Sequence, residues 1–441
     1  MENKKDDQDE LKIEFYNSIL AKADKEDKRD AIALYFQQLW QIDNLIVLIG
    51  AGFSKSVKGP LMADLSRKAL PPVVLLGILK EAKSEDALKS WVSLWGLPNI
   101  ITQAIIKEGE RSSVEDFPQL AEHCSKLNIE TKIGELQAIL VAFKALGRDA
   151  GLYESGLTEI KKSIVSQISS ISHSFGDEEF TEFRQRLQPY RSFFRRLLTY
   201  RRPQQPRIKV FTCNYDTLIE AACDLEGIHC VTGFDGKALR TLNPSIFDVD
   251  LTFRGTGQAS VYYANVIHLY KLHGSIDWRI LNVDGIDEIV QGEATGSEVL
   301  IYPCSTKFAE TLEAPYHEMF RRLGESTSQP QSVLLSVGYG FNDDHINQMI
   351  MRAYKNPSCQ LLLCEPRAAE TSSEFLRRMI KMATPEGENT ISDPRVTVIA
   401  GSDAKFPNIL NVLFQPLEIE SPSEQIKKLL QKLVQIGQGS R

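Results

Sequence analysis

A glycine-rich turn contains the first groups suited to binding a ligand: Gly50, Ala51, Gly52, Phe53 and Ser54. The turn directly follows an all-aliphatic run, which is typical of a strand buried on both faces. Two glycines there let the backbone approach a ligand closely, and a following helix would point its free N–H groups at a phosphate. A plain tight turn would use the same glycines. The third glycine of the dinucleotide-binding fingerprint is missing, which disfavours a dehydrogenase, and no P-loop motif occurs.

A carboxamide and a carboxylate follow a second aliphatic run, in the segment Cys213-Asn214-Tyr215-Asp216. Ligands of open α/β sheets bind at the carboxyl ends of the strands, so Asn214 and Asp216 are candidates for a binding cleft. Either residue can instead cap the helix that begins after it, because Asn and Asp side chains accept hydrogen bonds from free N–H groups. A cap explains one of them easily, and the presence of both favours a site.

An imidazole stands at the end of a third aliphatic run, where His273 is followed by Gly274. The ordinary pKa of histidine, about 6.5, suits proton transfer at cellular pH. His268 lies in the same run and is the alternative candidate. The glycine beside His273 and its position at the strand end favour His273.

A fourth turn, containing Gly338, Gly340 and Phe341, again follows an aliphatic run. One such turn is ordinary. Four turns that carry Gly, Asn, Asp and His at strand ends indicate a nucleotide-binding cleft.

The elements that must position these residues alternate between strands and helices. Aliphatic runs predict strands at residues 44–49, 208–213, 266–272, 333–337, 360–364 and 396–400. Because helical patterns separate several of these runs, we predict an α/β fold with a Rossmann-like, doubly wound parallel sheet. Residues 71–200 have the apolar spacing of helices, and we interpret them as a helical subdomain inserted between the first two strands.

Three segments divide the chain. Residues 1–40 are predicted to form a charged helical segment, and residues 41–415 the main domain. Residues 416–441 are predicted to form an amphipathic helix, whose start is marked by Ser421-Pro422-Ser423-Glu424.

Composition excludes several classes of protein. The formal net charge of −7 disfavours a direct nucleic-acid binder, which usually presents a basic face. The seven cysteines include no C-x-x-C pair, so we predict no metal site and expect reduced, intracellular thiols. Residues 1–30 lack the apolar core of a secretory signal, and no apolar run approaches the roughly 20 residues that span a bilayer. We therefore expect a cytoplasmic protein that does not enter a membrane.

The motifs occur in a defined order along the chain. They are Gly50-Ala-Gly-Phe-Ser54, Asn214-Tyr-Asp216, His273-Gly274, Ile301-Tyr-Pro303 with Lys307, Pro315-Tyr316, and Gly338-Tyr-Gly-Phe341 with Asp343 and His345. In this order they resemble sirtuin-like domains, over roughly residues 40 to 415. They are most similar to the divergent branch found in bacterial anti-phage defence systems, where the domain degrades NAD⁺.

The resemblance implies that NAD⁺ is a substrate whose nicotinamide–ribose bond is hydrolysed, which gives nicotinamide and ADP-ribose. Asn214 would bind the nicotinamide ribose or orient a water molecule, and His273 would act as general base. The turn at residues 50–54 would hold the pyrophosphate, and Asp216 would support its loop or contact the nicotinamide end. The remaining residues of the NAD⁺ site would be Gly274, Gly338, Gly340 and Phe341. Similar proteins act with a partner, commonly a HerA-type ATPase, and form homo-oligomers; the two terminal helices are candidates for these contacts.

Departures from the sirtuin pattern leave alternatives open. Protein deacylases of that family carry two C-x-x-C pairs for a structural zinc and an Asp-Phe-Arg triplet after the glycine turn, and both are missing here. Their Gln-Asn-Ile-Asp motif is replaced by Cys213-Asn-Tyr-Asp216. These departures disfavour an acyl-lysine substrate. The alternatives to a hydrolase are a non-catalytic module that senses NAD⁺ or ADP-ribose, and a sirtuin-type deacylase or ADP-ribosyltransferase.

Overall fold

The computed structural model describes residues 25–59, 129–172, 177–254, 260–292, 297–300, 315–367, 372–384 and 391–414. The predicted C-terminal helix, residues 1–24 of the charged segment and residues 71–128 of the predicted insertion lie outside the described residues. The motif residues 301–303 and Lys307 also lie outside them.

The strands of the described residues belong to two larger sheets and one hairpin. Their bounds are β1 Asn44–Ile49, β2 Ile208–Thr212, β3 His229–Val231, β4 Phe234–Asp235, β5 Arg240–Leu242, β6 Thr252–Arg254, β7 Ser260–Tyr262, β8 Val266–Lys271, β9 Gly274–Val283, β10 Ile286–Gln291, β11 Ser297–Leu300, β12 Ser332–Val337, β13 Cys359–Glu365 and β14 Val396–Ala400. Seven of them form one sheet in the order β14-β13-β12-β1-β2-β8-β3, in which every neighbouring pair is parallel. The predicted α/β fold with a Rossmann-like parallel sheet is confirmed, and each predicted strand lies within one residue of its observed bounds.

The direction in which the sheet grows reverses at β1. Strands β2, β8 and β3 lie on one side of β1, and β12, β13 and β14, which come later in the chain, lie on the other. In such sheets the crevice at the reversal point, outside the carboxyl ends of the strands, is where ligands bind. The glycine turns after β1 and β12 flank this point.

Helices cover both faces of the parallel sheet. In the described residues they are α1 Lys25–Trp40, α2 Ala51–Ser54, α3 Ile129–Ala145, α4 Gly151–Ser172, α5 Asp177–Arg186, α6 Gln188–Thr199, α7 Leu218–Glu226, α8 Tyr316–Ser328, α9 Asp344–Lys355, α10 Glu374–Met382 and α11 Ile409–Leu413. One core packs under α1, α6, α7 and α11, and the other under α8, α9 and α10. In β1, Leu45, Val47 and Ile49 enter the first core, whereas Ile46 and Leu48 enter the second. Because both faces are buried, the strand is apolar throughout, as its sequence indicated.

Helices α3 to α6 lie in the chain between β1 and β2, as predicted for the helical insertion. Helix α6 buries Tyr190, Phe193, Phe194 and Leu197, whose spacing of three and four residues places them on one face. Pro189 in its first turn suits a helix start, because proline lacks the N–H that would be left unbonded there. This helix packs against α7, and α4 contacts β9.

A second sheet is antiparallel, in the order β11-β9-β10-β5-β4, and the sequence analysis did not predict it. Its longest strand, β9, begins at Gly274, directly after His273. The β9–β10 hairpin turns at Asp284 and Gly285, which both have positive φ (55° and 84°). An Asp-Gly pair between two strands is a strong hairpin signal, so this element was detectable from the sequence.

Candidate functional site

The glycine turns after β1 and β12 pack backbone to backbone at the reversal point. The Gly52 N–H donates to the Gly338 carbonyl at 2.9 Å. A Cβ on Gly50 would lie 2.6 Å from that same carbonyl oxygen, and one on Gly338 would lie 2.3 Å from the Phe53 nitrogen. Gly338 also has a φ of +67°, which favours glycine. Contact between the two turns therefore already requires these glycines, whether or not a ligand approaches them.

The helix that follows the first turn is short. Helix α2 is a single turn and continues as a 3₁₀ turn over Lys55–Val57. The Gly52 N–H is used on Gly338, and the Phe53 N–H donates to the Gly50 carbonyl at 3.0 Å. Two of the N–H groups expected to face a phosphate are thus already bonded within the protein.

The Ser54 hydroxyl is the centre of a buried hydrogen-bond network. It donates to Asp216 Oδ2 at 2.9 Å, and it accepts from Asn214 Nδ2 at 2.9 Å and from the Tyr190 hydroxyl at 3.0 Å. A serine hydroxyl has one hydrogen and two lone pairs, so these three bonds use its full capacity. The predicted contact of Ser54 with a pyrophosphate would require this network to open.

The side chain of Asn214 is held in one orientation. Its Nδ2 donates to the Gly50 carbonyl at 3.2 Å and to Ser54 Oγ. Because a backbone carbonyl can only accept, the atom that faces Gly50 must be the nitrogen. Both Nδ2 hydrogens are therefore used, and Asn214 can offer a ligand only its oxygen, Oδ1.

Asp216 supports its own loop. Its Oδ2 accepts from Ser54, and its Oδ1 accepts from the Leu218 N–H at 3.1 Å, at the start of α7. Burial raises the pKa of this carboxyl, while the Lys271 cation and these hydrogen bonds oppose the rise. Of its two predicted roles, the observed contacts are those of loop support.

His273 lies beside the carboxylate of Asp343, a residue to which the sequence motifs assigned no role. Its Nε2 is 3.3 Å from Asp343 Oδ2, which makes an ion pair when the imidazole is protonated. Asp343 is the N-cap of α9, where its Oδ1 accepts from the N–H groups of His345 and Ile346. The cap holds the carboxylate in place beside the imidazole. An Asp directly before a helix start was a detectable signal for this position.

Asn214 and His273 leave neighbouring strands at the same edge of the sheet. Thr212 of β2 pairs with Lys271 of β8, and each candidate residue lies two positions further along its chain. The two side chains nevertheless join different clusters. Asn214 contacts the turn after β1, whereas the His273 ring lies 6.5 Å from that of Phe320 on the face covered by α8 and α9. A ligand would have to bridge the two clusters.

Both phenylalanines of the predicted NAD⁺ site have buried side chains. Phe53 stacks on Phe406 with ring centroids 3.7 Å apart, and Phe341 packs against Tyr339 at 5.0 Å. Phe341 has a φ of +55°, a strained conformation for a bulky residue, and its carbonyl accepts from Asn347 Nδ2 at 3.1 Å. Phe53 and Phe341 can therefore meet a ligand only through their backbones.

The other predicted residues lie at the same edge. Ala51 and Gly274 directly follow Gly50 and His273, and the Gly340 carbonyl accepts from Arg367 at 2.9 Å. Arg367 also contacts both carboxylate oxygens of Glu365, at the carboxyl end of β13. Glu365 lies at the carboxyl end of a strand two positions from β1, and the motifs of the sequence did not single it out as a candidate.

His268, the alternative histidine, lies within β8 and away from the carboxyl edge. It is buried, with Nδ1 3.4 Å from the Tyr270 hydroxyl and its ring 5.7 Å from that of Phe247. Burial, with smaller contributions from the nearby cations Lys209 and Arg207, lowers the pKa of His268 to about 4, although Asp250 opposes the change. These surroundings are those of a neutral core histidine.

We expect His268 to make the fold sensitive to acid. Its pKa is about 6.5 in the unfolded chain and about 4 in the folded protein. Between these pH values the unfolded state binds more protons, so the free energy of unfolding falls as the pH is lowered. In His268→Phe this dependence should disappear. Denaturant unfolding from pH 7.5 to 4 should show that the wild type loses up to about 3 kcal/mol more than the variant. Parallel pH profiles of the two proteins would contradict the assignment.

In the part of the chain that the structure describes, no group of three or more His, Cys, Asp or Glu residues is arranged to hold a metal ion. No described helix combines the length and the apolar character needed to cross a membrane.

Comparison with known protein families supports the resemblance for part of the chain. Residues 208–379 match the family described as a SIR2-like domain. The matched region includes Asn214, Asp216, His273, Gly338 and Asp343, and it leaves out the turn after β1. The match supports a sirtuin-like domain and, in general terms, NAD-related chemistry. No curated protein matches the chain.

Proposed function

We propose that this protein is an NAD⁺ hydrolase that cleaves the nicotinamide–ribose bond with water, releasing nicotinamide, ADP-ribose and a proton. The observation that carries this proposal is the SIR2-like match over a region in which Asn214 and His273 follow neighbouring parallel strands. Their common edge adjoins the reversal point of the sheet, where dinucleotides bind in such folds.

Asn214 would act on the nicotinamide ribose. Nicotinamide leaves as a neutral molecule, so the ribose carbon becomes oxocarbenium-like as the bond stretches. With both Nδ2 hydrogens bonded to the protein, Asn214 offers Oδ1 as an acceptor for a ribose hydroxyl or for the attacking water. The amide is already oriented before the substrate binds, which lowers the entropic cost of reaching the transition state.

His273 would remove a proton from that water or from a ribose hydroxyl. The carboxylate of Asp343, 3.3 Å from Nε2, favours the protonated imidazole that this step produces. Such proton transfers typically contribute about 10²–10⁴-fold to a rate.

Purified full-length protein incubated with NAD⁺ tests the proposal, with free nicotinamide and ADP-ribose as the measured products. The assay is run on the protein alone and together with the gene products encoded beside it, because a toxic hydrolase needs an activating partner. Nicotinamide release in either arm supports the proposal. Its absence from both arms, with NAD⁺ still bound, would establish a sensing module instead.

A sensing module is the second candidate, and one observation favours it. Asn214 and His273 make their contacts in separate clusters, an arrangement that fits a pocket that binds a dinucleotide without cleaving it. A deacylase or ADP-ribosyltransferase is favoured less, because the sequence lacks the paired cysteines of the deacylases.

We further propose a role in anti-phage defence, in which the protein depletes NAD⁺ in the cytoplasm of infected cells as a homo-oligomer with a HerA-type ATPase. What supports this role is the resemblance of the motifs to the sirtuin-like domains of bacterial anti-phage defence systems. Light scattering coupled to size-exclusion chromatography should give a mass that is a multiple of the 49.6 kDa chain. A monomer at working concentration would argue against the assembly.

Ser54→Ala should lower the rate of NAD⁺ cleavage about 10–100-fold, since small displacements of an oriented group cost rate on this scale. The variant removes one of the two acceptors that hold the Asn214 amide. Ser56→Ala is the matched control, because among the described residues Ser56 bonds the Phe53 carbonyl alone, at 3.2 Å, and takes no part in the network. Steady-state kinetics of both variants check the prediction, and equal rates would show that the network does not orient Asn214.

A further inference from the structure

Lys271 is a buried cation at the end of β8, two residues before His273. Its side chain is 2% exposed. The ammonium group donates to the Asp216 carbonyl and to Ser275 Oγ, at 2.8 Å in the second case, and it pairs with Glu220 Oε1 at 2.9 Å. Two of the three contacts are hydrogen bonds to the protein, and the third is an ion pair with a buried carboxylate. Lys271 is therefore engaged within the protein and is shielded from a substrate by its burial.

These contacts join the two segments that carry the candidate site. Asp216 belongs to the loop of Asn214, residues 213–217. Ser275 is the second residue of β9, and we refer to residues 272–276, around His273, as the His273 turn. Ser275 Oγ also lies 3.2 Å from the Tyr215 carbonyl, and the Ile276 N–H donates to that carbonyl at 3.0 Å. The ammonium group thus lies between the loop and the turn and bonds both.

Acidic groups surround the ammonium. Glu220 comes from α7, Asp277 from β9 and Asp216 from the loop. Burial lowers the pKa of Lys271, but these carboxylates, with Glu220 first, outweigh it and raise the pKa above its ordinary value. Burial also raises the pKa of Glu220, to about 7, although Lys271 opposes the rise. A buried charge is costly without a partner, so Lys271 and Glu220 stabilise each other.

We propose that Lys271 is a positioning residue, whose ammonium group holds the Asn214 loop and the His273 turn in the relative placement that the reaction needs. The expected effect on kcat rests on the proposed NAD⁺ hydrolysis. The expected effect on the placement of the two segments rests only on the contacts above. Lys271 acts through the loop and the turn and does not touch the substrate.

A pair of variants separates positioning from charge compensation. Lys271→Met alone leaves Glu220 buried without its cation and can fail to fold. The double variant Lys271→Met/Glu220→Gln removes both charges, whereas Glu220→Gln alone keeps the ammonium bonded to the loop and the turn. We expect kcat for NAD⁺ cleavage to fall at least 10-fold in the double variant relative to Glu220→Gln, with KM changed less than about 3-fold.

Hydrogen–deuterium exchange provides a readout that needs no activity. Peptides covering residues 213–217 and 272–276 should exchange at least 10-fold faster in the double variant than in Glu220→Gln, while a peptide covering β13 stays unchanged. If exchange and kcat both match those of Glu220→Gln, or if exchange rises and kcat does not fall, the positioning role is overturned. If the wild type cleaves no NAD⁺ either alone or with the neighbouring gene products, the hydrolase proposal fails by itself, and exchange still decides whether Lys271 holds the two segments.

Discussion

Replacing His273 with alanine is expected to lower nicotinamide release by at least about 100-fold, the lower end of what a general base contributes. The residue lies at the carboxyl edge of the sheet beside Asp343, and its removal takes away the imidazole that pairs with that carboxylate. Asn214→Ala should have a comparable effect, because it removes the amide oxygen, which is the atom of this side chain that the Nδ2 hydrogen bonds leave for a ligand. Steady-state measurement of free nicotinamide checks both variants.

His229→Ala is the control for these substitutions, since His229 is exposed at the start of β3, at the edge of the sheet. All three variants should keep the thermal stability of the wild type within a few degrees. Near-normal turnover in both His273→Ala and Asn214→Ala would place the chemistry on other residues.

Asp343→Asn refines the same prediction. Asparagine caps a helix about as well as aspartate, so α9 should remain intact while the charge beside the imidazole is lost. Without that charge the protonated imidazole is less favoured, so the acidic limb of the kcat/KM profile should move to lower pH. An unchanged profile would show that Asp343 serves the helix alone.

The second large effect concerns the contact between the two glycine turns. Gly338→Ala should lower the free energy of unfolding by about 2–5 kcal/mol. This loss is the sum of the cost of a left-handed backbone conformation for alanine and the cost of overpacking by its Cβ. Its φ is +67°, and the new Cβ would lie 2.3 Å from the Phe53 nitrogen. The three nearest atoms, from Phe53 and Gly52, all belong to the backbone, so the clash cannot be relieved by moving a flexible side chain. Denaturant unfolding measures the loss.

Gly227→Ala is the matched control. Gly227 caps α7 with a φ of +65°, and no heavy atom of the described residues, apart from its two chain neighbours, lies within 4 Å of a Cβ built on it. This variant should therefore show only the conformational cost, about 1–2 kcal/mol. Equal losses in the two variants would mean that the turns can separate, and that their close contact is not what requires the glycine.

The sequence by itself determined the parallel sheet and the position of the candidate residues at strand ends. A short continuous aliphatic run that ends at glycine or at a polar residue is typical of a strand buried on both faces, and on this basis β1 and β14 were predicted with their observed bounds. Whether a short segment will be buried follows from its own apolar residues, so it can be predicted from the local sequence. The antiparallel sheet was missed although Asp284 and Gly285 marked its central hairpin.

Only the tertiary structure decided what each candidate residue contacts. Ser54 meets Tyr190 across 136 residues of chain and Asp216 across 162, and no local pattern contains either pairing. The carboxylate beside His273 comes from the cap of a helix 70 positions later in the sequence. Lys271 reads in the sequence as an ordinary strand residue, and its burial between two loops appears only once β2 and β8 are paired. Strand order and pairing depend on packing between distant segments, which hydrophobic periodicity does not encode.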